Sequence, residues 1–127
     1  MKIFNRISFL AAFLLFCTAV PLFAHPPSDL RVNYDPAEGV LHIAMTHVTG
    51  SNMIRHHIRK IQIFKNDEMV LDSTIVQQTS AHSMTKSIPL SAVAGDTIRV
   101  KAICSEGGIG EQTIVVPAAD TDQDTTK

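Results

Sequence analysis

The 127-residue chain has no tryptophan, one tyrosine and two cysteines, and five of its six phenylalanines lie among the first 24 residues. Beyond that segment only Tyr34 and Phe64 are aromatic, so a core must be built from Ile, Val, Leu and Met. Cys17 falls in the same segment, which leaves Cys104 alone and excludes both an internal disulfide and a four-cysteine metal centre in the remainder. A lone cysteine in an oxidising compartment is a metal ligand, a reactive thiol, half of an intermolecular bridge or a small buried hydrophobe. Basic charge is scarce too. Without Lys2 and Arg6, nine basic side chains face twelve acidic ones, and no clustered basic face for nucleic acid is present. Internal repeats and long helical patterns are also missing.

What is present begins with an export signal. Residues 1–24 join a charged start (Lys2, Arg6) to an apolar run from Phe9 to Val20 and a small residue at Ala24, with Leu22 three positions before the cut. This pattern predicts a secretory signal peptide, too short and too well terminated for a membrane anchor. A lipoprotein signal at Cys17 is the weaker alternative, because Phe16 stands where such signals need a small residue. Cleavage leaves 103 residues, the size of one domain, and predicts a periplasmic or secreted protein with no membrane insertion. The domain is expected over 25–117, followed by a disordered polar tail over 118–127.

The mature chain alternates at period two. Leu30, Val32 and Tyr34 share one face of a first strand, Leu41, Ile43 and Met45 one face of a second, and Ile98, Val100, Ala102 and Cys104 one face of a late strand. The strand expected from His56 to Phe64 has mixed parity, because Ile61 and Ile63 oppose Ile58 and Phe64, so either both faces are covered or a bulge resets the register. Asn66-Asp67 predicts a hairpin turn into a strand over 69–76. Pro89 marks an edge or a strand end, and residues 110–116 form the last strand. Seven short strands separated by turn signals predict an all-β, antiparallel, immunoglobulin-like β-sandwich.

Histidines cluster at predicted strand ends. His47 continues the apolar parity of its strand, His56 and His57 open the next, and Cys104 closes a third on its apolar face. Imidazole and thiolate hold late first-row metals, so His47, His56 or His57, and Cys104 are candidate metal ligands if the sandwich brings these ends together. His25, first after the cut and stiffened by Pro26-Pro27, offers an α-amino group beside its ring, a combination that suits Cu(II) as well as it fits a frayed terminus. His42 falls on the solvent parity and His82 in an unpatterned loop, so both are expected at the surface. Ser105 to Gly108 reads as a flexible loop.

His25-Pro-Pro, the strand-ending His47, His56-His57-Ile58 and Ala102-Ile103-Cys104-Ser105-Glu106-Gly107-Gly108 occur in the order that resembles the superoxide reductase family, the ferrous-iron domain of desulfoferrodoxin and neelaredoxin. The resemblance runs over most of residues 25–116. It implies a seven-stranded immunoglobulin-like domain and an oxidoreductase that binds Fe(II)/Fe(III) through equatorial histidines and an axial cysteine. Superoxide and an electron donor would be its partners. The implied ligands are His25, His47, His56 and Cys104, with His57 or His82 as substitutes, and Arg55 is the cation that could attract the anionic substrate near the open position. Two departures stand out. Eight residues separate His47 from His56, more than the family's loop usually has, and the family's histidine after the cysteine falls on Gly107. Three histidines and one cysteine suit Zn or Cu as well, so a non-catalytic metal-binding or partner-binding module is the alternative.

Overall fold

Alternating apolar residues need a second sheet to cover them, and the chain supplies one. A computed structural model describes residues 25–118 and contains β1 (Ser28–Asp35), β2 (Val40–Thr46), β3 (Ile58–Lys65), β4 (Glu68–Thr74), β5 (Ser83–Pro89), β6 (Thr97–Cys104) and β7 (Ile109–Val115). All pairings are antiparallel, in a three-stranded sheet of order β1-β2-β5 and a four-stranded sheet of order β4-β3-β6-β7. The two sheets form an all-β, immunoglobulin-like sandwich. The expected signal peptide and all but the first residue of the expected tail lie outside the described residues.

The core sits between the inner faces. Leu41, Ile43 and Met45 of β2 meet Ile58, Ile61 and Ile63 of β3 and Ile98, Val100 and Ala102 of β6, all at 3 % exposure or less. Each of the Leu, Ile, Val and Met side chains contributes about 1.5–3 kcal/mol on burial, so these rows settle which face of each strand turns inward. The mixed parity of β3 resolves as a bulge: pairing with β6 slips between Ile58 and Lys60, which puts Ile58 on the same face as Ile61 and Ile63. Phe64 is thereby left outside the core and carries the Arg99 guanidinium 4.0 Å above its ring. Asn66 and Asp67 take φ values of 50° and 67°, the left-handed pair that a two-residue hairpin turn requires. Pro89 ends β5, which is an edge strand.

Register carries distant residues to one end. Thr46, at the end of β2, pairs with Ser28 and with Ser83, while Ile58, at the start of β3, pairs with Cys104, at the end of β6. The N-terminal segment 25–27 and the loops 47–57, 75–82 and 105–108 therefore gather at that end. Three strands differ in their bounds from expectation: β4 ends at Thr74 rather than at 76, β7 runs one residue earlier, and the start of β3 bears on the site. His56 and His57 precede β3, because Asn52 organises a turn ahead of it, taking the His56 N–H on its carbonyl at 3.0 Å and the Arg55 N–H on Oδ1 at 3.1 Å.

Candidate metal centre

His47, His56 and Cys104 converge there. One ligating atom from each lies within 4.8 Å of the others, and the imidazoles of His47 and His56 meet edge to face with centroids 4.8 Å apart and planes at 81°. Each is placed by backbone. His47 is held beyond the end of β2 by its N–H on the His82 carbonyl at 2.9 Å; His56 is set by the Asn52 turn; Cys104 is the last residue of β6.

The polar atoms show what this end is built for. Among the described residues, three buried side-chain nitrogens have no hydrogen-bond partner: His47 Nε2, His56 Nε2 and His57 Nδ1. A buried donor or acceptor without a partner costs about 1–3 kcal/mol, and two of these three, on His47 and His56, belong to the group that converges with Cys104. Burial pushes the pKa of His47 down, the neighbouring His56 and His57 add to that, and the Gln78 side chain and His25 backbone oppose it. His47 is accordingly held as a neutral imidazole, the form that ligates metal. The fully buried Cys104 sulfur accepts the Glu106 N–H at 3.4 Å. Two imidazoles with buried, unpartnered Nε2 atoms and one cysteine sulfur are a donor set for Fe, Zn or Cu, so these residues fit a metal.

The other predicted residues sit less centrally. The ring of His57 bonds through Nε2 to the Ile75 carbonyl at 3.0 Å and lies outside the convergent trio. His25 is exposed and also outside the trio, on the wall of a cavity of about 520 Å³ that His47 shares with Pro26, Ser28, Thr46 and Val48. Arg55 is exposed, and its carbonyl accepts the Ser105 hydroxyl at 2.8 Å, which ties the loop before His56 to the loop after Cys104. His82 is exposed, and His42 is half-buried with its ring against Ser87 Oγ at 3.0 Å. A second group, Asp35, Glu38 and His42, also brings ligating atoms within 4.8 Å. It contains no unpartnered buried atom, and Asp35 Oδ1 already accepts the N–H groups of Ala37 and Glu38, as a turn requires.

The loop after Cys104 is tighter than its glycines suggest. Cys104 N–H reaches the Gly108 carbonyl at 2.8 Å, Gly107 N–H returns to the Cys104 carbonyl at 3.0 Å, and Gly107 sits at φ 99°. Glycine occupies position 107 because the turn needs a left-handed residue, which an imidazole-bearing residue would adopt only under strain. Gly108 and Gly110 serve a different end: a Cβ on Gly108 would lie 2.5 Å from Pro26 N, and one on Gly110 2.7 Å from Pro27 Cγ. The N-terminal segment lies directly on these two glycines. Gln78, which sequence reasoning passed over as a loop residue, is 0 % exposed and bonded to His47. No feature of the sequence distinguishes it from its solvated neighbours.

No protein-family model matches the chain, and no curated protein matches it. Among solved structures, the superoxide reductase (neelaredoxin) from Ignicoccus hospitalis is similar at a TM-score of 0.45 and 14 % identity, covering 75 % of this chain and 81 % of that one. A point variant of the same protein gives a TM-score of 0.46 and 11 % identity, covering 74 % and 82 %. The likeness is a distant one of fold.

Proposed function

We propose that the protein is an exported, superoxide-reductase-like metalloprotein that holds one iron ion at His47, His56 and Cys104. The observation that carries this reading is the pair of buried, unpartnered Nε2 atoms on His47 and His56 beside the Cys104 sulfur. Iron is preferred over other metals because of the order of His25, His47, His56 and Cys104 along the chain, which resembles the superoxide reductase family. The chemistry iron supplies at such a site is one-electron reduction of superoxide, which takes up two protons and leaves as hydrogen peroxide. The chain's own residues prepare it. The Glu106 N–H donates to the Cys104 sulfur and helps to fix its position. His47 and His56 present buried, unpartnered Nε2 atoms, and a cavity beside His47 lies on the His25 side.

A second reading rests on Gly107. That position holds the family's remaining histidine in the resemblance, and here its backbone favours glycine. With fewer imidazoles, the site suits Zn or Cu(I) held for handling rather than for redox turnover.

Metal content of the purified protein, with its visible spectrum before and after oxidation, separates the two. About one iron per chain and a sulfur-to-iron band on oxidation supports the redox reading, and a superoxide assay then follows. Stoichiometric zinc or copper moves the function to metal handling, and absence of any stoichiometric metal defeats both.

A further inference from the structure

We infer that Gln78 is the positioning residue that holds His47 in its metal-ready tautomer, an inference that rests on the metal-binding reading above. The argument starts from four hydrogen bonds made by one buried amide. Gln78 Nε2 donates to the His47 carbonyl at 2.9 Å and to the Ser80 carbonyl at 2.7 Å. Its Oε1 accepts the Ile58 N–H at 3.3 Å and faces His47 Nδ1 at 3.0 Å.

Backbone chemistry decides which end of the amide is which. Carbonyls only accept, so the end facing His47 O and Ser80 O must be the NH₂; a peptide N–H only donates, so the end facing Ile58 must be the oxygen. The amide cannot flip without breaking all of these bonds. His47 Nδ1 therefore meets a fixed acceptor and carries the ring proton. Its Nε2 is left with the lone pair, and that is the atom found buried without a partner. Because the same amide grips the His47 carbonyl and the first N–H of β3, it also ties the end of β2 to the strand beside Cys104. A second partner of this kind sets the tautomer, orientation and basicity of a ligating histidine, and losing one lowers metal affinity about 10–100-fold.

Two variants and one spectrum test this. In metal-free wild type, long-range proton–nitrogen NMR correlations of the His47 ring should show the proton on Nδ1; a proton on Nε2 overturns the assignment directly. Gln78→Met is close in shape but accepts nothing from His47, and it should lower Co(II) affinity about 10–100-fold, read by titration of the sulfur-to-cobalt band. Gln78→Glu keeps an oxygen for the Nδ1 proton but loses the donors to His47 O and Ser80 O. It should lose thermal stability while retaining Co(II) affinity near wild type. A purely structural role predicts that affinity follows stability in both variants, and that result overturns the proposal. If Gln78→Met fails to fold, the wild-type tautomer and the Gln78→Glu split still decide. Wild-type protein that takes up no Co(II) defeats the metal reading and the affinity claim with it, whereas a wrong tautomer defeats the Gln78 assignment alone.

Discussion

Alanine at Gly108 probes how the N-terminal segment reaches the metal end. The substituted Cβ would stand 2.5 Å from Pro26 N and 2.7 Å from both His25 C and Pro26 Cα, all backbone atoms that cannot rotate aside. Carbon contacts settle at about 3.5–4.0 Å, so the segment must recede by about 1 Å. Forced overpacking of this kind costs about 1–3 kcal/mol. Gly108 does not occupy the left-handed region, so alanine fits its backbone and recovers about 0.4–1 kcal/mol through the unfolded chain. The net loss is about 1–2 kcal/mol, which for a domain of this size lowers Tm by about 5–15 °C. Circular dichroism of the metal-free protein on heating reads that shift. The cause is isolated by repeating the substitution with residues 25–27 deleted, where it should become neutral or stabilising because the clash has gone. In a parallel titration Co(II) should still bind at His47, His56 and Cys104 with its sulfur band intact. A Gly108→Ala protein as stable as wild type, or one equally destabilised without the N-terminal segment, refutes the packing argument.

Three further outcomes follow from the site. Cys104→Ser should abolish any sulfur-to-metal band while leaving the strand spectrum in circular dichroism, and persistence of the wild-type band would remove Cys104 from the site. His47 has a pKa lowered by burial from an ordinary 6.5, so the unfolded chain binds its proton first as pH falls. Its contribution to stability is thus complete above about pH 6.5 and is lost progressively below it. Urea midpoints of the metal-free protein should drop from pH 7.5 to 5.5, and His47→Gln should flatten that drop; an equal slope in the variant excludes His47 as the cause. Gly107→His adds an imidazole to the loop after Cys104 but must adopt φ near 99°, at a cost of about 1–3 kcal/mol. It should lower Tm in the metal-free state and regain part of the loss when metal is added, whereas a loss that metal leaves unchanged shows that position 107 does not face the ion.

Much of this protein was legible along the chain. Period-two alternation marked β1, β2 and β6, because a residue on the wrong face of a sandwich exposes apolar surface, turn signals and short apolar runs supplied the other strands, and the parities of His47 and Cys104 pointed both inward. Even the irregularity of β3 was visible as conflicting parity, although only pairing with β6 showed that the slip lies between Ile58 and Lys60 and that Phe64 leaves the core. The choice between His56 and His57 could not be read, since neighbouring residues in a turn have no period. The Asn52 turn and the Ile75 carbonyl decide it, sending His56 to the trio and His57 aside. Gln78 was invisible because three of its four hydrogen bonds go to His47 and Ile58, residues brought to it only by the closing of the sandwich. Gly108 read as loop flexibility and Gly110 as a strand residue, and both prove to be clearance for the N-terminal segment. The sequence by itself determined strand faces, because burial of apolar side chains is a local, periodic constraint. Tertiary structure alone decided which polar atoms stand free and which are held, because that depends on partners tens of residues away.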